Sequence, residues 1–237
     1  MNVEGAFVCI VRVGNNSSDS SYNKALTKNF ELHKVKYAMY DIDESISIED
    51  FQNMLSIFDR TNYINGVFLY RPLPPHLEGV TLKKDLDFPP CTPTAVMKLL
   101  SGHNIELKSK NVLIIGRSEV VGKPLVNLFL EENATVTVAH SYTLNLTSLT
   151  RKADIIVCAV GIPKFLTKDM VKENAVVVDV GINFENGKLV GDADFEAIKE
   201  VTKYISPVPG GVGPITNAIV LLNLECFNKK NEKNNRA

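Results

Sequence analysis

The sequence lacks an excess of charge of either sign. Its 237 residues include 26 Lys and Arg against 27 Asp and Glu, so the formal net charge is −1. A protein that binds nucleic acid or an anionic membrane surface by general electrostatic attraction needs a strongly basic face. The charge balance therefore predicts no nucleic-acid partner and no membrane partner.

Long apolar runs and paired cysteines are also missing. No apolar run reaches the roughly 20 residues that a membrane-spanning helix needs, and the N-terminal residues lack the layout of a signal peptide. The four cysteines, Cys9, Cys91, Cys158 and Cys226, lie far apart and form no Cys-x-x-Cys pair. We interpret them as reduced thiols of a cytoplasmic protein and predict no metal site.

Short apolar runs alternate with helical patterns along the whole chain, which predicts an α/β protein with parallel sheets. The pattern predicts strands over residues 6–13, 36–42, 66–69, 111–115, 134–139, 154–159 and 175–180. It predicts helices over residues 20–33, 48–60, 92–100, 120–132 and 214–227. Thr92 is expected to cap the third of these helices, with Pro93 at its first position. Asn186-Gly187 between extended residues predicts a hairpin.

The simplest domain division places a boundary near residue 102. The first domain would comprise residues 1–102, with the last helix, about 214–228, packing back on it. The second would comprise residues 103–213. Residues 229–237 are almost all polar or charged, and we expect them to be disordered.

A phosphate-binding turn is predicted where the strand at 111–115 meets the next helix. Gly116, Arg117, Ser118, Val121, Gly122 and Pro124 lie in this turn, although its spacing departs from Gly-x-Gly-x-x-Gly. The following strand ends in His140-Ser141, with no acid for ribose hydroxyls. Arg117 and Ser141 could hold a 2′-phosphate, which favours NADP over NAD. The alternatives are a packing turn at Gly122 and a solvated loop at His140.

Three further loops could contact a ligand. Val160-Gly161 and Gly181-Ile182 each follow a predicted parallel strand, where ligands of open α/β sheets bind. The segment 206–216 holds three prolines and three glycines just before the last helix. Its backbone could approach another molecule closely. For each loop the alternative is an ordinary turn, and for 206–216 a turn between domains.

Seven ordered segments resemble the methylenetetrahydrofolate dehydrogenase/cyclohydrolase family, densely from about residue 90 to 223 and more thinly from 6 to 88. They are Pro90-Cys-Thr-Pro93, Gly116-Arg-Ser-Glu-Val-Val-Gly-Lys-Pro124, Ala134-Thr-Val-Thr-Val-Ala-His-Ser141, Ala153-Asp-Ile-Ile-Val-Cys-Ala-Val-Gly161, Val178-Asp-Val-Gly-Ile-Asn183, Gly191-Asp-Ala-Asp194 and Pro207-Val-Pro-Gly-Gly-Val-Gly-Pro214.

The resemblance implies two α/β domains flanking a cleft, the second a Rossmann-type parallel sheet that binds the cofactor, with a tetrahydrofolate derivative in the cleft. It also implies a homodimer. It assigns catalytic roles to Tyr22 and Asp87. The implied substrate-binding residues are Tyr22, Tyr70, Asp87, Pro209, Gly210, Gly211, Val212 and Gly213. The implied cofactor-binding residues are Gly116, Arg117, Ser118, Val121, Gly122, Pro124, His140, Ser141, Val160, Gly161, Gly181 and Ile182.

Two substitutions depart from the family pattern. The family has a catalytic Lys four residues after the Tyr that matches Tyr22, and this chain has Leu26 at that position. The family also has a Gln that supports the Lys, and this chain has Tyr70 there. A Leu side chain can neither donate nor accept a hydrogen bond. The loop after Asp87 and the N-terminal segment are also shorter than usual.

These departures predict a methylenetetrahydrofolate dehydrogenase whose cyclohydrolase activity is weak or lost. Hydride transfer to NADP depends mainly on positioning, whereas hydrolysis needs an activated water. Three alternatives stay open. They are a bifunctional enzyme that uses Lys28 or Arg71, a non-catalytic folate- or nucleotide-binding protein, and a dehydrogenase acting on another small substrate.

Overall fold

The structure, a computed structural model, describes residues 2–14 and 19–234, and of residues 19–22 and 231–234 it describes the backbone only. The chain divides into two compact units. Unit 1 comprises Met1–Cys91 and Asn217–Ala237, and unit 2 comprises Thr92–Thr216. This division lies eleven residues before the predicted boundary, because the helix that follows residue 91 groups with unit 2. The predicted α/β class is confirmed.

Unit 1 is built on a parallel three-stranded sheet in the order β2-β1-β3. Its elements are β1 (Phe7–Val13), α1 (Asp19–Leu32), β2 (Lys36–Ile42), α2 (Ile48–Arg60) and β3 (Gly66–Leu69). The central strand β1 pairs with both neighbours, so Val8, Cys9, Ile10 and Val11 are fully buried. The bounds of these elements lie within one residue of the predicted ones, because each coincides with a clear apolar period.

Helix α2 shows how local sequence sets an element of unit 1. The Ser47 hydroxyl accepts a hydrogen bond from the Asp50 N–H at 3.0 Å and so caps the first turn. Phe51, Leu55 and Phe58 recur at spacings of four and three and are buried against the sheet. The helix therefore has one apolar face, which covers β1 and β3.

Unit 2 is built on a parallel five-stranded sheet in the order β10-β7-β6-β4-β5. Its elements are α3 (Cys91–Gly102, whose first residue belongs to unit 1), β4 (Asn111–Ile115), α4 (Gly122–Glu131), β5 (Thr135–Ala139), α5 (Leu146–Thr150), β6 (Ile155–Cys158), β7 (Val176–Asp179), β8 (Asn183–Glu185), β9 (Lys188–Val190), α6 (Phe195–Ile198) and β10 (Tyr204–Ile205). Strands β4, β6 and β7 are buried almost throughout, as expected for a sheet covered on both faces. The short elements α5, α6 and β10 were not predicted, since two to five residues carry too little periodicity.

The predicted hairpin is present as the antiparallel pair β8–β9. Its two turn residues, Asn186 and Gly187, have φ values of 51° and 75°. This is the conformation that a two-residue hairpin turn requires, and Asn-Gly adopts it readily.

Two local predictions are wrong. Helix α3 begins at Cys91, so Thr92 lies inside it, and the Asp87 Oδ1 atom accepts the Cys91 N–H at 3.1 Å in the capping role. The last helix, α7, runs over Val212–Asn234, so residues 229–234 are helical rather than disordered, and residues 235–237 of the predicted tail lie outside the described residues. The Lys229–Glu225 ion pair at 2.9 Å links successive turns of α7, and such pairs support a polar helical extension.

Candidate cofactor and substrate site

The candidate cofactor site lies at the carboxyl edge of the unit 2 sheet. Strands β5, β4, β6 and β7 are neighbours and run parallel. The loops that follow them therefore emerge side by side at one edge. Strand β4 comes first along the chain among the strands of this sheet, yet it lies between β5 and β6. The strand order therefore reverses at β4, and open α/β sheets bind ligands at such a point. The four predicted cofactor loops all leave this edge.

The loop after β4 packs backbone to backbone against the loop after β6. Gly116 has a φ of 120°, and a Cβ atom there would lie 2.2 Å from the Ala159 carbonyl oxygen. The Ser118 hydroxyl accepts the Val121 N–H at 3.2 Å, and helix α4 begins at the next residue, Gly122. The loop thus leads directly into the N-terminus of a ten-residue helix, a favourable place for phosphate. Pro124 lies in the first turn of this helix.

An exposed basic and aromatic cluster lies where the loops after β4 and β5 meet. The Arg117 Cζ atom is 5.8 Å from the centre of the Tyr142 ring, a cation–π contact. The Tyr142 N–H donates to His140 Nδ1 at 3.2 Å, and the His140 N–H donates to the Thr143 hydroxyl at 2.8 Å. Arg117 and Ser141 are both exposed. Tyr142 was missed by the sequence analysis, because no motif singled it out.

Asp192 joins the loop after β6 to the loop after β7. Its Oδ2 atom accepts the Val160 N–H at 2.6 Å and the Gly161 N–H at 2.9 Å. Its Oδ1 atom accepts the Asn183 side-chain amide at 2.8 Å. The carboxylate is fully buried, so these three donors replace water around it.

Asp179, the last residue of β7, lies beside Asp192. Its Oδ1 atom accepts the N–H groups of Gly181 and Asp192, both at 2.9 Å, and its Oδ2 atom accepts the Ala193 N–H at 2.8 Å. Burial raises the pKa of Asp179 to about 6, against the lowering effect of these three donors, and the charge of Asp192 adds to the rise. Sequence reasoning missed both carboxylates as site residues, although both lie in family segments.

Two of the predicted cofactor glycines differ in their surroundings. A Cβ atom at Gly181 would lie 2.1 Å from the Asp192 Oδ1 atom. Gly181 therefore makes room for a buried carboxylate. At Gly161 no atom lies within 4 Å of the corresponding Cβ position, so the space beside that backbone is open. Val160 is half-buried and Ile182 is exposed.

In unit 1, the two substituted positions on and beside α1 have apolar or hydrogen-bonded surroundings. Leu26 is fully buried, whereas Lys24 and Lys28 are exposed. The Tyr70 hydroxyl donates to the Asn23 Oδ1 atom at 3.0 Å, and Tyr70 is buried. The side chain of Tyr22 lies outside the described residues, so its predicted role stays a prediction.

Asp87 belongs to a chain of carboxylates in unit 1. Arg71 pairs with the Asp85 Oδ2 atom at 3.3 Å and donates to the Val80 carbonyl at 3.4 Å. The Asp85 Oδ1 atom accepts the Asp87 N–H at 2.9 Å. Burial raises the pKa of both Asp85 and Asp87. Arg71 is therefore engaged by Asp85, and Asp87 is held through its backbone.

The Pro/Gly loop of unit 2 is anchored at its start. The buried Ser206 hydroxyl accepts the Asp179 N–H at 2.8 Å, so the loop begins at the carboxyl end of β7. Gly210 has a φ of 110°, and α7 begins two residues later, at Val212. Pro209, Gly210 and Gly211 precede α7, and Gly213 lies in its first turn. Their predicted substrate-binding role stays a prediction.

A shallow depression of about 680 Å³ lies elsewhere in unit 2, lined by Arg151, Lys168, Asp169, Val171 and Lys172. These residues precede β6 and β7, so they belong to the amino ends of those strands. Arg151 donates to the Asp169 carbonyl at 2.7 Å, and Lys172 pairs with Asp154 at 2.6 Å. Arg151 is thus already hydrogen-bonded and Lys172 already ion-paired. The depression is separate from the cofactor loops.

Neither a metal cluster nor a membrane helix is found in the part of the chain that the structure describes. Within residues 2–14 and 19–234, His, Cys, Asp and Glu side chains form no group of three that could bind a metal ion. Over the same residues, no helix is both long and apolar enough to cross a bilayer. All four cysteines are free thiols, and Cys9, Cys91 and Cys158 are buried.

Comparison with known proteins decides the family. Residues 90–232 match the family described as "Tetrahydrofolate dehydrogenase/cyclohydrolase, NAD(P)-binding domain".

The chain belongs to this family.

The resemblance inferred from the seven segments is thus confirmed. A "Bifunctional protein FolD" from Dictyoglomus turgidum is 41% identical and covers 92% of this chain and 85% of its own. Among solved structures, the bifunctional enzyme FolD from Campylobacter jejuni is 36% identical, with a TM-score of 0.86 over 96% of this chain and 89% of that one. The Trypanosoma brucei enzyme, described as complexed with NADP cofactor and inhibitor, is 27% identical, with a TM-score of 0.86 over 95% and 87%. Unit 2 lies within the residues that match the NAD(P)-binding domain of the family.

Proposed function

We propose that the protein oxidises 5,10-methylenetetrahydrofolate to 5,10-methenyltetrahydrofolate with NADP as the hydride acceptor. The observation that carries this proposal is the set of four loops at the carboxyl edge of unit 2, in a chain of this family. The relatives are named as bifunctional dehydrogenase/cyclohydrolases. In this reaction the protein supplies geometry, because hydride transfer requires little more than close alignment of donor and acceptor.

The residues present fit NADP. Arg117 and Ser141 are both exposed, in the loops that follow the paired strands β4 and β5, and a guanidinium with a hydroxyl suits a phosphate. No carboxylate occurs from residue 140 to 145, so nothing in that loop repels a 2′-phosphate. Gly116 and the N-terminus of α4 suit the pyrophosphate, and the open space beside Gly161 admits the nicotinamide end. Bound there, the cofactor would accept the hydride.

We further propose that the cyclohydrolase activity is weak or lost. This proposal is supported by the surroundings of the two substituted positions, Leu26 and Tyr70. Leu26 is fully buried and apolar, and the Tyr70 hydroxyl is committed to Asn23. Neither group can activate water or stabilise charge as a Lys–Gln pair could. Arg71, the alternative cation, is paired with Asp85, and its fixed charge makes it a poor proton shuttle.

A spectroscopic time course tests both proposals. Protein, NADP and 5,10-methylenetetrahydrofolate are mixed, and reduced cofactor and methenyl product are followed separately. We expect both to accumulate together. If the methenyl form disappears faster than in an enzyme-free control, the cyclohydrolase proposal is wrong. If neither species forms, the dehydrogenase proposal is wrong, and binding without turnover or another substrate replaces it.

We also propose a homodimer in the cytoplasm. The dimer follows from the family, and the reducing compartment is supported by four free thiols, three of them buried. Sedimentation equilibrium at micromolar concentration tests the assembly. A mass equal to one chain of 26.2 kDa would contradict the dimer.

A further inference from the structure

The loops after β6 and β7 are tied together by one buried side chain. Asp192 accepts two backbone N–H groups from Val160 and Gly161 and one side-chain amide from Asn183. Val160-Gly161 follows β6, and Asn183 follows β7 by four residues. A shift of either loop would therefore stretch a charge-assisted hydrogen bond to a carboxylate with no water to replace it.

The surrounding backbone is shaped around this carboxylate. A Cβ atom at Gly181 would overlap the Asp192 Oδ1 atom, at 2.1 Å. The Asp192 N–H is itself held by Asp179, at 2.9 Å. The N–H groups of Val160 and Gly161 are already donating to Asp192. Asp192 thus holds the backbone of both loops in place. It is fully buried, so it lies beneath the surface that the loops present.

We propose that Asp192 is a positioning residue for the nicotinamide cofactor, acting through the Val160-Gly161 and Gly181-Asn183 loops. The inference rests on the proposed function, since these loops are cofactor loops only if the dinucleotide binds at this edge. Asp192 itself contacts no substrate. Its charge holds two neighbouring loops in register, so that both meet the cofactor at once.

The charge of Asp192, more than its size, carries this role. An Asn at this position has nearly the same shape but only one acceptor oxygen. Its NH₂ group would face the amide of Asn183, which can turn to accept from it. The Val160 and Gly161 N–H groups would then donate to a neutral oxygen, and hydrogen bonds to a neutral acceptor are weaker than those to a carboxylate, so the two loops should be held less firmly.

The test is Asp192→Asn in the full chain, with Asp154→Asn as a matched control. Asp154 also lies in unit 2 and accepts a backbone N–H, from Asn111, and a Lys172 amine, but it precedes β6. We expect Asp192→Asn to raise the KM for NADP by about tenfold or more, the size expected from losing one charge-assisted hydrogen bond. The KM for the folate substrate should change less than twofold, and Asp154→Asn should leave both values unchanged. A folded Asp192→Asn protein with wild-type KM for NADP would overturn the inference.

A second variant covers the case in which Asp192→Asn does not fold. Asn183→Ala removes one donor and leaves the two loop N–H groups paired with Asp192. It should raise the KM for NADP by a smaller factor, about threefold for one weaker hydrogen bond. An unchanged KM in this variant would also overturn the inference.

Binding measurements separate the two proposals. The dissociation constant of NADPH, followed by its fluorescence, needs no turnover. If the wild type binds NADPH and Asp192→Asn binds it more weakly, the inference holds even where the folate substrate is not oxidised. If the wild type does not bind NADPH, the proposed function and the inference both fail.

Discussion

At the scale of single residues, the proposed loss of cyclohydrolase activity rests on position 26, where the resemblance to the family implies a Lys and this chain has Leu. A neutral, fully buried Leu cannot move a proton, and Tyr70 is fixed by its hydrogen bond to Asn23. The sequence shows the substitution directly, because the residue four positions after Tyr22 is a Leu. The sequence does not show that Leu26 is shielded from water, because burial depends on the elements packed around α1.

The double variant Leu26→Lys with Tyr70→Gln should restore methenyltetrahydrofolate hydrolysis. We expect a gain of about 100-fold over wild type if the ammonium takes part in proton transfer. The protein should also become less stable, since burying an ammonium costs free energy. The measurement is the decay of the methenyl absorbance with purified protein.

The control for this variant is Leu26→Met with Tyr70→Gln, because Met has nearly the length of Lys without its charge. Circular dichroism establishes that both proteins fold. A folded Lys variant that hydrolyses no faster than the Met variant would contradict our explanation of the proposed loss of cyclohydrolase activity.

Asp179 is the residue whose ionisation should be most visible in solution. Its pKa is raised from 3.8 to about 6 by burial, so the folded state binds its proton more tightly than the unfolded chain does. The protonated form therefore contributes stability below pH 4, and this contribution is lost as pH rises through about 6. The loss should reach at most about 3 kcal/mol.

Carbon-13 NMR of the Asp179 carboxyl group should give a midpoint near pH 6. Chemical denaturation of the wild type between pH 4 and 7 should show the matching decrease in the free energy of unfolding. Asp179→Asn should lack this component of the slope. A midpoint below the ordinary Asp value would mean that its three N–H donors outweigh burial.

At the scale of elements, one side-chain amide joins α7 to the segment 86–89. The Asn223 Nδ2 atom donates to the Leu86 carbonyl at 2.7 Å and to the Pro89 carbonyl at 3.1 Å. Asn223 is buried. The loop between Asp87 and α3 is short, and this side chain holds it against α7.

Asn223→Ala should lower the free energy of unfolding by about 2 kcal/mol, because it removes two hydrogen bonds, one of them to the carbonyl of the buried Leu86. Leu222→Ala is the control on the same helix, since Leu222 is 41% exposed, and it should cost less than about 1 kcal/mol. Urea denaturation measures both values. Equal losses would show that helix packing, and not the amide, holds this loop.

Element bounds followed the sequence closely where the periodicity was long. Helix α2 and strands β2, β3 and β4 match the predicted bounds, since their apolar residues recur at regular spacing. The start of α3 did not follow, because its first N–H is capped by Asp87 from outside the helix. The extension of α7 was missed because a polar composition was interpreted as disorder.

At the scale of the whole molecule, the cofactor should leave a localised footprint. Ligand binding stabilises the folded state by mass action, and the bound dinucleotide orders the loops that it touches. With NADP in excess, amide hydrogen exchange should slow at residues 116–124, 140–143, 159–161 and 181–192. Mass spectrometry of peptic peptides measures this protection.

The control for this footprint is NAD at the same concentration, which lacks the 2′-phosphate. NAD should protect the peptides that contain Arg117 or Ser141 less than NADP does. Protection centred instead on Arg151 and residues 168–172, where the separate depression lies, would place the dinucleotide elsewhere and contradict the proposed site.

The sequence by itself determined the α/β class, the order of most elements and the family. Those properties depend on local periodicity and on ordered motifs, which a linear chain displays directly. Only the tertiary structure decided that Asp192 joins two loops, that Arg71 is engaged by Asp85, and that Leu26 is fully buried. The Asp192 carboxylate and the Val160 N–H are 32 residues apart in the chain. Such a contact exists only after the strands have paired, because pairing brings distant loops to one edge of the sheet.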